Sequence, residues 1–193
     1  MIGIAPFGLG QDTARFYLEH MRGLAAAGRM GPDAMAGVTY AHAIGNDPVF
    51  DSLLEILREP FAKHCGRKLL PTYAFGRIYQ QGDKLNKHRD RPACEFSLTM
   101  TLGFSGAEPW PIYTAMDSDG PATAWMIPPG RALAYPGCEA WHWREPLTTA
   151  WQAQMFFHYV DAQGPYTHLT FDGRHRLAHH ACSGNCGGCS LSR

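Results

Sequence analysis

The sequence predicts a mainly β protein with two helices at its N-terminal end, in which the strands form a sandwich or barrel and the helices pack on one sheet. Apolar residues recur at helical spacing only in the first third of the chain, and the period then changes to two. Short strand patterns separated by Gly- and Pro-containing turns fill the region that follows. Helices followed by a run of strands are typical of an α+β arrangement.

The chain of 193 residues is expected to be a single domain. Residues 1–69 are predicted to form an N-terminal helical support, with one helix over 11–27 that stops at Gly28. The second helix is predicted to begin at Pro48, because proline suits the first helical position, and to end before Gly66.

Seven strands are predicted in the core, residues 70–161, and two of them alternate clearly between polar and apolar positions. In the strand over 94–104, the polar residues are Glu95, Ser97, Thr99 and Thr101, and the apolar residues are Phe96, Leu98, Met100 and Leu102. In the strand over 151–160, one face carries Gln152, Gln154 and His158, and the other carries Ala153, Met155, Phe157 and Tyr159. Each strand therefore has one apolar face and one polar face that is solvated or functional.

The overall charge excludes some classes of partner. Lys and Arg total 17 and Asp and Glu total 17, so no basic surplus indicates nucleic acid. No apolar run is long enough to span a bilayer, and the first residues lack the basic region of a signal peptide. We therefore expect a cytoplasmic protein that binds neither membrane nor nucleic acid.

Three cysteines lie close together in a His- and Gly-rich tail, residues 173–193, which is expected to be separate from the core. Cys182, Cys186 and Cys189, with His179 or His180, could hold zinc or an iron–sulfur cluster. An unliganded tail fits the same composition. The other three cysteines are scattered and are expected to be reduced thiols.

The pair His88 and Asp90 follows a turn that contains Gly82. Residues two apart on an extended strand point the same way, so the imidazole and the carboxylate would reach one point in space. One further His would complete a two-His, one-carboxylate face, which is the ligand set of non-heme Fe(II) oxygenases.

This region resembles the Fe(II)/2-oxoglutarate-dependent dioxygenases, particularly their prolyl-hydroxylase-like branch. The resemblance covers roughly residues 75–160, and the matching positions upstream are Tyr79, Gly82, Leu85, His88 and Asp90. Downstream, residues 130–135 resemble the glycine-containing strand of the family, and His142 lies where the second His ligand belongs. The resemblance implies a double-stranded β-helix, a jelly-roll or cupin-like barrel with the metal inside. It also implies Fe(II) held by His88, Asp90 and His142. Among the other histidines, His158 and then His168 are the alternatives to His142 as third ligand.

The sequence departs from the family pattern at Gln152, where the family has a basic residue that pairs with the distal carboxylate of 2-oxoglutarate. A neutral amide cannot neutralise a buried carboxylate. The candidates for the missing cation are, in order of preference, Arg144, Arg77, and then Arg91 or Arg131. Tyr79 is expected either to hydrogen-bond the co-substrate or to pack in the core.

The resemblance implies a hydroxylase that uses Fe(II), 2-oxoglutarate and O2 to oxidise a C–H bond of a small molecule, an amino acid or a peptide. Two alternatives remain open at this point. The barrel could be a non-catalytic binding or sensing module with a structural metal in the Cys-rich tail. It could also be a cupin-like metalloenzyme that does not use 2-oxoglutarate, although cupins usually bring more His ligands.

Overall fold

The computed structural model describes residues 2–32 and 37–174, which contain two α-helices and eleven β-strands. Helix α1 spans Gln11–Ala26 and helix α2 spans Pro48–Cys65. The strands are β1 Gly3–Gly8, β2 Gly31–Pro32, β3 His42–Gly45, β4 Leu69–Gln80, β5 Leu85–His88, β6 Phe96–Phe104, β7 Ile112–Ala115, β8 Thr123–Trp125, β9 Arg131–Tyr135, β10 Trp141–Arg144 and β11 Trp151–Asp161. The predicted mainly β class with N-terminal helices is confirmed.

Helix α2 begins and ends at the signals present in the sequence. The Oδ1 atom of Asp47 accepts hydrogen bonds from the backbone N–H groups of Val49 (2.9 Å) and Phe50 (3.3 Å). This N-cap satisfies two of the four amides that a helix leaves unpaired. Gly66 ends the helix in the left-handed conformation, with φ of 65°.

Seven strands form the major sheet in the order β1-β9-β6-β11-β4-β3-β2. Its centre is the long antiparallel pair β4 and β11, whose register runs from Trp151 opposite Gln80 to Asp161 opposite Leu69. One face of this sheet packs against α1 and α2 and forms the largest apolar core. That core contains the predicted apolar faces of β6 and β11, including Leu98, Met100, Leu102, Ala153, Met155, Phe157 and Tyr159.

Four strands form the minor sheet in the order β5-β10-β7-β8. This sheet covers the other face of the major sheet, because residues from both sheets line one cavity. The predicted polar faces of β6 and β11 point into the space between the sheets, where Ser97, Thr99, Thr101, Gln152 and Gln154 are fully buried. The interior of the barrel is therefore polar as well as enclosed.

Four short strands are absent from the sequence prediction: β1, β2, β3 and β5. Each has six residues or fewer. Strand β1 pairs with β9, and β3 pairs with β4, so residues 1–69 contribute strands to the major sheet as well as helices. The division of the chain into support, core and tail stays a prediction.

Within the described residues, neither helix combines the length and the apolar composition needed to cross a bilayer. The Cys-rich segment with Cys182, Cys186 and Cys189 lies outside the described residues, and so do His179 and His180. The metal site predicted there stays a prediction.

Candidate metal centre and its cavity

His88, Asp90 and His142 come together at the inner face of the minor sheet. His88 is the last residue of β5 and lies directly opposite His142 of the neighbouring strand β10. Asp90 follows two residues after β5, beyond the strand rather than within it. The Nε2 atoms of both histidines lie 3.5 Å from the same oxygen, Asp90 Oδ1. The three predicted ligands therefore meet at one point.

Backbone carbonyl groups fix the orientation of both imidazole rings. His88 Nδ1 lies 2.7 Å from the carbonyl oxygen of Asn86, and His142 Nδ1 lies 3.0 Å from that of Ala140. Because a carbonyl oxygen only accepts hydrogen bonds, each Nδ1 carries the proton and donates it. Each ring therefore turns its other nitrogen, Nε2, toward Asp90, as in protein metal sites where an outer hydrogen bond orients a histidine ligand.

The electrostatics of the cluster favour a cation. Burial by itself raises the pKa of Asp90, but the imidazoles of His142 and His88 beside it outweigh burial and hold the pKa below its usual range. Burial lowers the pKa of His88, and contacts with Asp90 and the Asn86 carbonyl reverse this, so that the net shift is upward. Both directions are those expected where a carboxylate and imidazoles lie close together, and a carboxylate that stays ionised favours a bound cation.

The backbone of Gly137 packs directly against Asp90. The backbone N–H of Asp90 donates to the Gly137 carbonyl oxygen at 2.9 Å. A Cβ atom on residue 137 would lie 2.7 Å from Asp90 Oδ2 and 2.6 Å from Ser97 Oγ, and closer still to the carbonyl oxygen of Cys94. Only glycine therefore fits at this position without moving the carboxylate, a requirement that the sequence alone did not reveal.

The variant Gly137→Ala is expected to bind Fe(II) at least about tenfold more weakly, since displaced supporting contacts typically cost 10- to 100-fold in metal affinity. Anaerobic calorimetric titration with Fe(II) measures the change. The matched control is Gly23→Ala in α1, where a Cβ meets no atom within 4 Å. Equal Fe(II) affinity in Gly137→Ala and the wild type would show that Asp90 does not need this close support.

A cavity of about 300 Å³ adjoins the three ligands. Its opposite wall consists of four aromatic rings from β4 and β11: Tyr73, Phe75, Phe156 and His158. The rings of Phe75 and Phe156 stack with centroids 4.4 Å apart, and those of Tyr73 and His158 lie 4.5 Å apart. Tyr135 also lines the cavity, with its ring 4.9 Å from that of His142. Aromatic groups therefore form much of the cavity wall beside the candidate metal position.

Arg77 brings a buried positive charge to the wall of this cavity. Its Nη1 donates a hydrogen bond of 2.6 Å to the hydroxyl of Tyr79. The guanidinium also lies over the rings of Phe75 and Phe156, 5.2 and 5.4 Å from their centroids. Its positive charge acts to lower the pKa of His88, which shows that it is electrostatically close to the ligands.

The structure places Gln152 and Arg144 in a buried layer that does not line the cavity. Both carbonyl and amide groups of Gln152 are used by the backbone of Trp110: Oε1 accepts from its N–H at 2.7 Å, and Nε2 donates to its carbonyl at 3.3 Å. Arg144 Nη1 donates to the same carbonyl at 2.5 Å. Burial lowers the pKa of Arg144 to about 10, and its Nε and Nη2 have no hydrogen-bond partner among the described residues.

The remaining candidates have other roles in the structure. Arg91 lines the cavity, but its guanidinium makes two 2.8 Å contacts with the carboxylate of Asp172. Arg131 donates to the carbonyl of Ala5 at 2.7 Å. His168 is exposed in the 3-10 helix Thr167–Gly173 and is not brought to the ligands. The sequence also did not indicate five residues that line the cavity: Tyr73, Phe75, Cys94, Tyr135 and Phe156.

Comparison with solved structures supports the resemblance at the level of the fold. No protein-family model matches the sequence, and no curated protein matches it. A prolyl-4-hydroxylase from Pseudomonas putida superimposes with a TM-score of 0.66 at 14% identity, over 84% of this chain and 93% of that one. A 2OG-Fe(II) oxygenase family oxidoreductase from Burkholderia pseudomallei gives 0.62 at 15% identity, over 76% and 80%.

A third similar structure is that of an epimerase and not of a hydroxylase. It is an α-ketoglutarate-dependent non-heme epimerase from nogalamycin biosynthesis, with a TM-score of 0.68 at 15% identity, over 83% of this chain and 78% of that one. Because these identities are low, the likeness concerns the fold and not the reaction. The chain therefore has the double-stranded β-helix fold shared by the 2-oxoglutarate- and Fe(II)-dependent oxygenases.

Proposed function

We propose that this protein is a non-heme Fe(II)- and 2-oxoglutarate-dependent oxygenase that oxidises a C–H bond of a small molecule, an amino acid or a peptide, most simply by hydroxylation. The observation that carries the proposal is the convergence of two Nε2 atoms on Asp90 Oδ1. When each ring carries its one proton on Nδ1, two nitrogen lone pairs and a carboxylate oxygen meet at one point, and a cation bound there relieves their repulsion. Two imidazoles and one carboxylate on one face are the ligand set of Fe(II) oxygenases.

The ligands His88, Asp90 and His142 would occupy one face of the ion and leave the other face open toward the cavity. Bound there, Fe(II) would supply the chemistry that couples oxidative decarboxylation of 2-oxoglutarate to succinate and CO2 with oxidation of the substrate by O2. The chain itself would fix the ligand geometry through the carbonyls of Asn86 and Ala140 and through Gly137. The retained carboxylate of Asp90 fills the position that halogenases of this family leave to a halide, which favours hydroxylation.

Arg77 would hold the distal carboxylate of 2-oxoglutarate in place of the family's basic residue at position 152. Its guanidinium lies in the cavity wall and is positioned by Tyr79 and two aromatic rings. A planar guanidinium held in one orientation suits bidentate binding of a carboxylate. The Tyr79 hydroxyl accepts from Arg77 and helps to hold the guanidinium in place, while Tyr79 itself is buried in an apolar core and does not line the cavity. Arg144, the first choice from the sequence, would serve only if the cavity extended into the layer around Trp110.

The cavity volume bears on the size of the substrate. About 300 Å³ is at the lower end of the range for small-molecule sites, which is roughly 300–1,000 Å³. The co-substrate occupies part of that space, so only one small group of a substrate enters beside it. A single side chain of a peptide or a compact metabolite meets this requirement.

Formation of succinate tests the proposal. Purified protein with Fe(II), 2-oxoglutarate and O2, incubated with a panel of amino acids, peptides and small metabolites, is expected to release succinate. His142→Ala should reduce that release at least about 100-fold, because the metal loses one of its three protein ligands. His168→Ala, at an exposed histidine away from the cavity, is the matched control. Protein that binds both Fe(II) and 2-oxoglutarate but never forms succinate would favour a non-catalytic binding module instead.

A further inference from the structure

Asp90 also belongs to a second group of side chains that could hold a metal ion. One ligand atom from each of Asp90, Cys94 and His158 falls within 4.8 Å of the other two. Cys94 ends the 3-10 helix Pro92–Cys94, and His158 belongs to β11 of the major sheet. All three residues line the cavity, so an ion from solution can reach them.

The hydrogen bonds around His158 leave one ring nitrogen available as a ligand. Ser97 Oγ donates to the carbonyl oxygen of Cys94 at 3.1 Å and lies 2.9 Å from His158 Nδ1. Because the single hydroxyl proton is used by the carbonyl, Nδ1 carries a proton and donates to Ser97. The lone pair of His158 is therefore on Nε2. This is the same tautomer as in His88 and His142.

The free nitrogen of His158 is deeply buried and lacks a partner. His158 is only 3% exposed, and its Nε2 has no hydrogen-bond partner among the described residues. Asp90 Oδ2 is also buried and unpartnered within the described part of the chain. Buried acceptors without a donor cost free energy, and native proteins usually satisfy them by a bound water, ion or ligand group. Two such acceptors in one cluster, one of them a carboxylate oxygen, can be satisfied together by a bound cation.

The thiol of Cys94 determines which kind of metal ion would suit this cluster. Its thiol is 1% exposed, lies 3.1 Å from the hydroxyl of Tyr73, and adds a sulfur ligand to the nitrogen and oxygen of the other two residues. Sulfur ligands with imidazole and carboxylate favour Zn²⁺ and similar thiophilic ions over Mg²⁺ or Ca²⁺. Metal binding would release the thiol proton.

We propose that Asp90 Oδ2, Cys94 Sγ and His158 Nε2 form a second metal position that takes a thiophilic divalent ion such as Zn²⁺, with Asp90 bridging it to the first position. Ions bridged in this way typically lie about 3.5–4 Å apart. An ion at the second position would fill cavity space beside the first. The inference needs the first position only as the source of Asp90, and it does not require oxygenase activity.

Cobalt(II) is the probe that tests the second position, because a thiolate bound to Co²⁺ produces a charge-transfer band in the near ultraviolet. The protein used is the full chain with Cys182→Ser, Cys186→Ser and Cys189→Ser, so that the tail cannot contribute to this band. Anaerobic equilibrium dialysis is expected to give two Co²⁺ per chain, with the thiolate band present. Adding Cys94→Ser should remove the band and one Co²⁺. Adding His158→Phe, which keeps an aromatic ring beside Tyr73, should also remove one Co²⁺.

Two further variants separate this proposal from the proposed function. Cys138→Ser is the matched thiol control, since Cys138 Sγ contacts the Arg91 carbonyl at 3.2 Å and is not part of the cluster, so the band should persist. His88→Ala should weaken the first position and leave the thiolate band in place. A stoichiometry of one Co²⁺ without the band, or a band that survives Cys94→Ser, would overturn the second position. A crystal structure of zinc-soaked protein with only water between Cys94 and His158 would do the same.

Discussion

Asp90→Ala is expected to abolish Fe(II) binding at the first position, with a loss of affinity of at least about 100-fold. Asp90 supplies the negative charge on which both Nε2 atoms converge, and two neutral imidazoles hold a divalent ion poorly without it. The fold should tolerate the change, because Asp90 Oδ2 is buried without a hydrogen-bond partner among the described residues. Removing an unsatisfied buried group carries little penalty.

Thermal unfolding separates loss of metal binding from loss of folding. An ion at 100 times its dissociation constant stabilises the folded state by about 2.7 kcal/mol. The wild type should therefore unfold at a higher temperature with anaerobic Fe(II) than without, whereas Asp90→Ala should unfold at the same temperature in both conditions. Asp117→Ala, at an exposed carboxylate, is the control and should behave like the wild type. Full stabilisation of Asp90→Ala by Fe(II) would rule out Asp90 as a ligand.

Arg77→Met is expected to weaken 2-oxoglutarate binding by roughly 30- to 3,000-fold while Fe(II) affinity stays close to that of the wild type. Removing one partner of a buried charge pair costs about 2–5 kcal/mol, and every 1.4 kcal/mol is tenfold in the dissociation constant. Met keeps much of the apolar contact with Phe75 and Phe156 while it removes the charge. Anaerobic titration of the metal-loaded protein with 2-oxoglutarate gives the dissociation constant.

Two further variants test which arginine binds the distal carboxylate of 2-oxoglutarate. Tyr79→Phe removes the hydroxyl that accepts from Arg77 and should cost about tenfold in 2-oxoglutarate affinity, less than Arg77→Met. Arg144→Met removes the other buried guanidinium, which does not line the cavity, and should leave the dissociation constant nearly unchanged. A large effect of Arg144→Met with little effect of Arg77→Met would reverse the assignment and restore the order of preference that the sequence indicated.

Local patterns were enough to predict much of the fold. The N-cap Asp47 and the stop signal Gly66 identify α2 closely, since capping depends on adjacent residues alone. The alternation in β6 and β11 correctly separates the core face from the face toward the cavity, because a strand has a side-chain period of two. The short strands β3 and β5 were not predicted, because their place in the sheets depends on pairing with β4 and β10, which lie elsewhere in the sequence.

Prediction of the site was less complete than prediction of the fold, because several of its features arise from contacts between residues far apart in the sequence. The spacing of His88 and Asp90 predicted that they would meet, although Asp90 lies beyond the strand. Gln152 is bound to the backbone of Trp110, 42 residues away, a contact that no local pattern encodes. Gly137 is a similar case. Glycine is required there because Asp90 packs against it, and no local pattern encodes that contact.

Anaerobic mixing of the protein with Fe(II) and 2-oxoglutarate shows whether the site binds both. If His88, Asp90 and His142 hold Fe(II) with an open face, chelation by the co-substrate should produce a weak metal-to-ligand charge-transfer band in the visible range. The band should need both components, and the double variant His88→Ala with Asp90→Ala should lack it. A folded wild-type protein that shows no band and binds neither Fe(II) nor 2-oxoglutarate would contradict the account.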